Sequence, residues 1–259
     1  MRGRGSIVTL TTDFGVRDPF AGIMKGVIAG INPDAVVIDL THGIARQNIR
    51  EGAFILFMST SYFPGGTVHT VVVDPGVGGA RRALAVETER YILVGPDNGV
   101  LSWAIPDVRR AIIREIKEPL YTGESISNTF HGRDIFAPAA AHLSVGVQVQ
   151  ALGPPVIDPV LLPFPQAHQG GRVIRGEVLY IDGFGNLMTN IRPADRGSIK
   201  EVVIGDTTIR GISGSYGEGR EGQPVALVGS TDFLEIAVNA GSAAKVLGAD
   251  VGDEVRVSL

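Results

Sequence analysis

The stretch "IVTLTTDFGVRDPFAGIMKGVIAGI", residues 7–31, decides the fold class. Its first six residues are dominated by β-branched side chains, which predicts a strand. From residue 18 onward, apolar side chains recur at the spacing of a helix. The same succession of a β-rich run and a helical pattern follows at 35–40 and 48–63, and a further β-rich run lies at 67–73. Strands that alternate with helices predict an α/β domain with a mostly parallel, helix-covered sheet.

Two more patterns complete this first half. Residues 83–88 and 91–95 are β-rich and predict a hairpin that turns at Glu89 and Arg90. Residues 134–146 predict a helix, in which Pro138 is tolerated only if it falls in the first turn.

The composition changes after residue 152. Residues 153–171 hold five prolines, which predicts an extended linker because proline disrupts helices and inner strands. Residues 172–259 carry short β-rich runs separated by Gly, Asp and Ser turns, with one short helix near 241–249. We therefore predict an α/β domain over 1–152, a linker over 153–171 and a β-barrel domain over 172–259.

Composition excludes several classes of protein. The 259 residues include no cysteine, so disulfides, thiol catalysis and thiolate metal sites are excluded. The formal net charge of -4 and the lack of a Lys/Arg run argue against a nucleic-acid partner. Apolar runs fall short of the roughly 18 residues that a membrane span needs. The N-terminal residues do not resemble a signal peptide, and we expect a cytoplasmic protein without a membrane partner.

Three of the predicted strands end in an aspartate: Asp13, Asp39 and Asp74. In open α/β sheets, ligands bind beyond the carboxyl ends of the strands, so these side chains are expected to line one edge. Asp39 is equally compatible with capping a turn, and Asp13 with capping the helix that follows it.

The segment "DPGVGGARR", residues 74–82, has the glycines of a phosphate loop but not its context. A phosphate loop leads into a helix whose amides face the anion, whereas this segment leads into a β-rich run. An aspartate at its entrance would also repel a phosphate. We interpret the glycines as room for a small, partly cationic ligand, with Asp74 and Arg81 facing each other across the turn.

A second polar group lies in "NTFHGRDIFAP", residues 128–138. Asp134 is explained by the preference for acidic residues at a helix start. His131, flanked by Phe130 and Gly132, is either catalytic or a structural histidine. A metal site built from Asp13, Asp74 and His131 lacks a recognised ligand spacing, and we predict no metal.

A third polar group lies in the β-rich half. Asp182 and Asn186 flank the glycine–aromatic–glycine turn of "YIDGFGNLMTNI", residues 180–191. Farther on, Ser230 and Asn239 fall in predicted turns. Such side chains suit an amino-acid head group or the edge of a purine.

Together these segments resemble one known family over essentially the whole chain. The sequence is similar to the S-adenosyl-L-methionine (SAM) hydrolases that form adenosine, also called SAM hydroxide adenosyltransferases, which are homologous to the SAM-dependent fluorinase and chlorinase. The resemblance rests on the segments "TLTTDFG", "DPFAGIMKGVI", "VIDLTHGI", "FPGGTVHTVVVDPGVGG", "LVGPDNGVLS", "TFHGRDIFAPAAAHL", "YIDGFGNLMTNI" and "GSTDFLEIAVNAGSAA".

The resemblance implies an α/β domain joined to a β-barrel, a homotrimer, and a SAM site between the first domain of one subunit and the barrel of its neighbour. It implies hydrolysis of SAM to adenosine and L-methionine, with SAM as substrate and no separate cofactor. Carried over by motif, the catalytic set is Asp74, Arg81 and His131, and the substrate-binding residues are Asp13, Asp18, Asp182, Asn186, Tyr216, Ser230 and Asn239. Among these, Asp13 matches the contact to the ribose hydroxyls and Tyr216 the aromatic that stacks on adenine.

Two departures separate this sequence from the halogenating relatives. Those relatives have a long insertion where residues 78–99 are compact here, and tryptophans where this chain has Gln47 and Met188. The pattern favours hydrolysis. The alternatives are a SAM-dependent halide adenosyltransferase and a non-catalytic protein that binds SAM or adenosine.

Overall fold

The computed structural model describes residues 7–259, which divide into two compact units with the boundary between Pro163 and Phe164. Residues 1–6 of the predicted first domain lie outside the described residues. From residue 7 onward, the first unit has six strands and three α-helices: β1 (Ile7–Thr12), α1 (Phe20–Ile31), β2 (Val36–Thr41), α2 (Ile49–Thr60), β3 (Val68–Val72), β4 (Ala83–Glu87), β5 (Ile92–Pro96), β6 (Ile112–Glu115) and α3 (Ala137–Ser144).

The six strands form one mixed sheet in the order β2-β1-β3-β5-β4-β6. β1 pairs in parallel with β2 and β3, and β3 pairs in parallel with β5. β4 runs antiparallel to both β5 and β6, so the predicted hairpin is confirmed. The sequence did not predict β6.

The central strand β3 is buried along its whole length, as expected for a strand covered on both faces. Because successive side chains point to opposite faces, Val68 and Val72 pack in the core cluster that includes Met24 of α1. Val71 packs in the other cluster, which includes Leu56 of α2. Helices therefore cover both faces, which the alternating pattern predicted.

The helix predicted over residues 134–146 begins differently. Residues Gly132–Phe136 form a π-helical turn, and the regular helix α3 follows it. Pro138 is among the first residues of α3, but the π-helical turn runs directly into this helix, so Pro138 does not lie in the first turn of the whole helical segment as expected. π-Helical turns are rare and occur frequently at functional sites.

The second unit consists of a nearly closed, barrel-like sheet and one short helix. The strand pairs among its described residues are antiparallel. The long strand β8 pairs with β14 through its first half and with β9 through its second half. Its elements are β7 (His168–Gly170), β8 (Val173–Ile181), β9 (Leu187–Thr189), β10 (Glu201–Ile204), β11 (Thr207–Arg210), β12 (Pro224–Val228), β13 (Leu234–Val238), α4 (Ala243–Leu247) and β14 (Glu254–Ser258).

The first part of the proline-rich stretch is bonded to the first unit. The indole N–H of Trp103 donates to the Leu162 carbonyl, and the Leu162 N–H donates to Ser102 Oγ. The Val160 N–H donates to the Asp97 carboxylate. Residues 153–171 contain no helix, but the end of the predicted linker forms the strand β7. The domain boundaries at 152 and 172 stay predictions. None of the helices in the described part of the chain is long and apolar enough to cross a membrane.

Candidate active site

Two of the three predicted strand-end aspartates, Asp13 and Asp74, lie at one edge of the first unit's sheet. Asp13 follows β1 directly, and Asp74 comes two residues after the end of β3. β1 and β3 are parallel neighbours, so their carboxyl ends adjoin. The prediction that a strand ends at Asp39 is wrong, because β2 continues to Thr41 and Asp39 pairs with Leu10 inside the sheet. Its carboxylate accepts a hydrogen bond from Lys25 and lies 3.0 Å from His42 Nε2.

Asp74 and Arg81 form a nearly buried ion pair, as expected from the sequence. Arg81 Nε donates to Asp74 Oδ1 at 2.9 Å and to Oδ2 at 3.1 Å, and Arg81 Nη2 also donates to Oδ2. The side chains of Arg81 and Asp74 are 10% and 5% exposed. Two donors on one carboxylate fix its plane, which makes this pair a rigid element of the site.

The same Arg81 nitrogen contacts His131. Arg81 Nη2 donates to His131 Nδ1, and the guanidinium lies 5.4 Å from the centre of the Phe136 ring. Arginine can only donate, so Nδ1 is the unprotonated nitrogen of the imidazole. Burial, followed by the Arg81 charge, lowers the pKa of His131, against the pull of Asp74. His131 is therefore neutral at pH 7, and its ring also hydrogen-bonds to the Ser127 backbone.

Asp134 supports the segment that carries His131. Its carboxylate accepts from the Ser127 N–H at 2.8 Å and from Arg133 Nε. Burial would raise the pKa of Asp134, but the hydrogen bonds from Arg133 and Ser127 outweigh it and lower that pKa. Asp134 is an acidic residue at the start of a helical segment, as predicted. It also anchors the preceding loop through its bond to Ser127.

The glycine-rich turn after Asp74 packs closely against another loop of the protein at Gly78. Gly78 has φ +75°, and a Cβ there would lie 2.1 Å from the Asn128 carbonyl oxygen. The turn thus packs directly against the loop that leads to His131. The sequence-based interpretation that the glycines make room for a ligand is wrong for Gly78, because a neighbouring loop occupies that space.

Asp13 does not cap the helix that follows it. α1 begins after Pro19 without a side-chain cap, whereas Asp13 Oδ2 accepts from the Gln47 N–H at 2.8 Å. Gln47 has φ +63°, so the loop is held in a left-handed conformation at this contact.

Asp13 and Asp18 share one cavity of about 450 Å³ at this edge. Most of its other polar residues come from the loops after β1 and β2 and were not predicted from the sequence. His42 is tied to this framework, because its Nδ1 lies 2.9 Å from Thr12 Oγ1. The remaining lining residues are Phe14, Gly15, Arg17, Gly43, Ile44, Ala45 and Arg46.

In the second unit, Asp182 and Asn186 are bonded to each other. Asp182 Oδ1 accepts from the Phe184 and Asn186 N–H groups, and Asp182 Oδ2 accepts from Asn186 Nδ2. This is the turn between β8 and β9. Both side chains hold the turn in shape, and Phe184 at its tip is 81% exposed.

The other predicted residues of this unit lie in turns next to β13. Ser230 lies between β12 and β13, and Asn239 follows β13 directly. Asn239 Nδ2 donates to the Gly219 carbonyl at 2.7 Å. Tyr216 donates to Glu235, a buried carboxylate in β13 that sequence analysis did not single out. The signal available was an acidic residue in the middle of an apolar run.

The structure therefore brings together Asp74, Arg81 and His131, and separately Asp13 and Asp18. Their chemical roles stay predictions. Among residues 7–259, no cluster of three or more His, Asp or Glu side chains is placed to hold a metal ion.

The chain is similar to known proteins along most of its length. Residues 8–153 match the family model of the SAM hydroxide adenosyltransferase N-terminal domain, and residues 176–256 match that of the C-terminal domain. A Thermus thermophilus protein named (R)-S-adenosyl-L-methionine hydrolase is 42% identical over 96% of this chain and 98% of its own length.

A solved structure and a more distant relative are also similar to this chain. A solved structure from Thermotoga maritima, described as an uncharacterized conserved protein, has a TM-score of 0.91 and 36% identity, covering 98% of this chain and all of that one. A more distant relative, named fluorinase, comes from Nocardia brasiliensis and is 26% identical over 99% of this chain and 98% of its own. With both family models matched in order along most of its length, the chain belongs to the SAM hydroxide adenosyltransferase family.

Proposed function

We propose that this protein hydrolyses SAM to adenosine and L-methionine, with water attacking the ribose C5′ carbon. The observation that carries the proposal is the Asp74–Arg81–His131 set, which is fixed at the sheet edge within a family whose relatives are named SAM hydrolases.

The reaction is an in-line displacement. A bond forms between the water oxygen and C5′, while the bond from C5′ to the sulfonium breaks and its electron pair stays on sulfur. Methionine leaves with a neutral thioether, so the leaving group needs no general acid. The demand falls on the nucleophile, because free water has a pKa of about 15.7.

Asp74 is the proton acceptor that the geometry favours. Its carboxylate keeps lone pairs that Arg81 does not use, since Arg81 supplies only two nitrogen donors to it. His131 has one ring nitrogen on Arg81 and hydrogen-bonds to Ser127 as well. Asp74 therefore orients the water and takes its proton as the new bond forms, while Arg81 and neutral His131 hold the carboxylate in place.

Substrate placement is the second contribution, since well-oriented reactants reach effective molarities of about 10⁵ M or more. One Asp13 oxygen is committed to Gln47, and the other is free to accept from a ribose hydroxyl, with Asp18 in the same cavity. For the second unit we propose that Asp182, Asn186 and Ser230 shape the contact to the methionine end, and that Asn239 is a further substrate-binding residue. Tyr216 is proposed to stack on adenine.

The remaining family-based expectations are proposals too. These are a homotrimer whose active sites join the first domain of one subunit to the barrel of its neighbour, and a cytoplasmic location. No cofactor beyond the substrate enters the mechanism.

The test is mass spectrometry of the purified protein incubated with SAM in ¹⁸O-labelled water, with and without chloride. Adenosine labelled at the 5′ oxygen, together with methionine, is the expected result. A 5′-chloro product would identify a halide adenosyltransferase. SAM that binds but stays intact would identify a binding protein, and either of these two results contradicts the proposal.

A further inference from the structure

The loop between β11 and β12, residues 211–223, is tied to the neighbouring strands by backbone hydrogen bonds near its two ends, at Gly211, Ser213, Gly222 and Gln223. Five of its 13 residues are glycine, and most of it is exposed. Glycine-rich backbone loses the most conformational entropy on ordering, so a fixed conformation has to come from specific anchors. Tyr216 lies in a single 3₁₀ turn, Tyr216–Glu218, in the middle of this loop.

Two side-chain anchors come from β13 and the residue after it. The Tyr216 hydroxyl donates to Glu235 Oε1 at 2.7 Å. Asn239 Nδ2 donates to the Gly219 carbonyl, and the Gly222 N–H donates to the Asn239 carbonyl at 2.9 Å. Glu235 and Asn239 thus hold the loop at its centre and at its far end.

Glu235 is an unusual residue to find inside β13. It is 6% exposed and its four strand companions are all buried. Among the side chains that the structure describes, which leave out that of Arg196, Glu235 has a hydrogen bond from Tyr216 and no ion pair with a Lys or Arg. Burial, with the nearby Asp182 carboxylate acting in the same direction, raises the pKa of Glu235. A buried carboxylate without a cation destabilises a fold, so its presence points to a role beyond packing.

The contact leaves the Tyr216 ring available. Although its hydroxyl reaches a buried partner, Tyr216 is 45% exposed. Burial, Glu235 and Asp182 together raise the pKa of Tyr216 to about 12, so the phenol stays protonated and donates throughout the physiological range. Since Asp182 acts on both Tyr216 and Glu235, the proposed adenine contact and the proposed methionine-end turn belong to one neighbourhood of this unit.

We propose that Glu235 is a positioning residue: its bond to the Tyr216 hydroxyl fixes the ring, and with it the loop 211–223, in the orientation that packs against the adenine. The inference rests on the proposed function, because adenine is the ligand only if SAM is the substrate. A ring fixed before binding loses less entropy when the ligand arrives, which lowers KM without changing the chemical step.

The experiment compares steady-state kinetics of Glu235→Leu, Glu235→Gln and Tyr216→Phe with the wild type. Glu235→Leu removes the acceptor at similar size, and Tyr216→Phe removes the donor but keeps the ring. A net hydrogen bond of about 1 kcal/mol corresponds to a KM increase of roughly five- to tenfold, with kcat within about twofold. Glu235→Gln keeps an acceptor oxygen and is expected to stay near the wild type.

Two further measurements separate positioning from general damage. The double variant Tyr216→Phe/Glu235→Leu should have the KM of the worse single variant, because both changes remove the same bond. Glu221→Gln, an exposed carboxylate of the same loop, is the matched control and should not change KM. Additive effects in the double variant, or a wild-type KM in Glu235→Leu, would overturn the proposal.

Failure of the proposed function is distinguishable. If the wild type does not turn over SAM, calorimetric titration with adenosine replaces KM in the same set of variants. Weaker adenosine binding in Glu235→Leu and Tyr216→Phe, with Glu235→Gln spared, then leaves the positioning role standing without the hydrolase. Unchanged adenosine binding in all three overturns both.

Discussion

At Asp74 the carboxylate plane is set by Arg81, and replacing one oxygen tests the assigned role. Asp74→Asn keeps the shape but removes the proton acceptor. We expect kcat to fall by about 10² to 10⁴, the range of a lost general base, while SAM still binds. The matched control is Asp107→Asn, which breaks an exposed Asp–Arg pair in the same unit. Wild-type turnover by Asp74→Asn would refute the assignment of the base.

Gly78 combines a left-handed backbone with a close contact, and the two can be tested apart. Gly78→Ala strains the backbone at φ +75° and places a methyl group against the Asn128 carbonyl. Gly66→Ala has the same strain at φ +82° with nothing within 4 Å. We expect urea unfolding to show a loss of about 1 kcal/mol for Gly66→Ala and a larger loss for Gly78→Ala.

Activity provides the second measurement for this pair of variants. Because Gly78 touches the loop that leads to His131, Gly78→Ala should also lower kcat, whereas Gly66→Ala should not. Equal kcat values in the two variants would mean that the turn does not position the catalytic set.

At the scale of elements, the strand β3 carries a buried histidine that makes stability depend on pH. His69 is fully buried, lies 2.9 Å from Thr9 Oγ1 through its Nδ1, and packs edge-on against the Phe63 and Tyr91 rings. Burial lowers the pKa of His69 to about 4. The neutral form is therefore favoured in the folded protein.

The unfolded protein binds a proton at His69 more readily than the folded protein does, so acid destabilises the fold. His69 contributes stability that is fully present above the unfolded value of about 6.5 and is lost as pH falls toward about 4. The loss is on the order of 3 kcal/mol. His69→Gln cannot titrate and should show a shallower decline in urea-unfolding free energy over this window. The pKa values of His131 and His142 are also lowered. The pH dependence that these two histidines cause is therefore the same in the wild type and in His69→Gln.

The elements that could be predicted are those with strong periodicity. β1 and β3 follow directly from their β-branched runs, and α1 from its helical spacing. β6 was missed because Ile112–Glu115 is short and holds two charged residues. The π-helical turn at Gly132–Phe136 was missed because no local sequence pattern reports such a turn, and the bond from the Ser127 N–H to Asp134 in it joins residues seven apart.

The residues of the candidate site also differ in whether local sequence could predict their contacts. The Asp74–Arg81 pairing could be predicted, because both residues belong to one turn whose ends must come close. Glu235 could not, since its meaning depends on a tyrosine 19 residues earlier that only the folded barrel brings to it. The sequence indicated that Gly78 needs to be glycine, but a ligand was expected next to it, whereas the structure places the Asn128 carbonyl there.

At the scale of the whole molecule, the proposed trimer makes two measurable statements. Light scattering should give about three times the chain mass of 27.3 kDa. If each active site joins two subunits, coexpression of Asp74→Asn with an inactive Asp182→Asn variant should restore activity. About one site in four would then carry both intact residues. A monomeric mass, or no restored activity from two inactive variants, would contradict the shared site.

The Asp74–Arg81 pair also has a consequence for how ligands arrive. A guanidinium bonded to a carboxylate is a compact dipole, and the field of a dipole fades with distance much faster than that of a single charge. The pair therefore exerts almost no long-range pull on a cationic molecule. Capture from solution falls to unpaired acidic groups and to the net charge of -4, so salt should slow association while leaving the catalytic step unchanged.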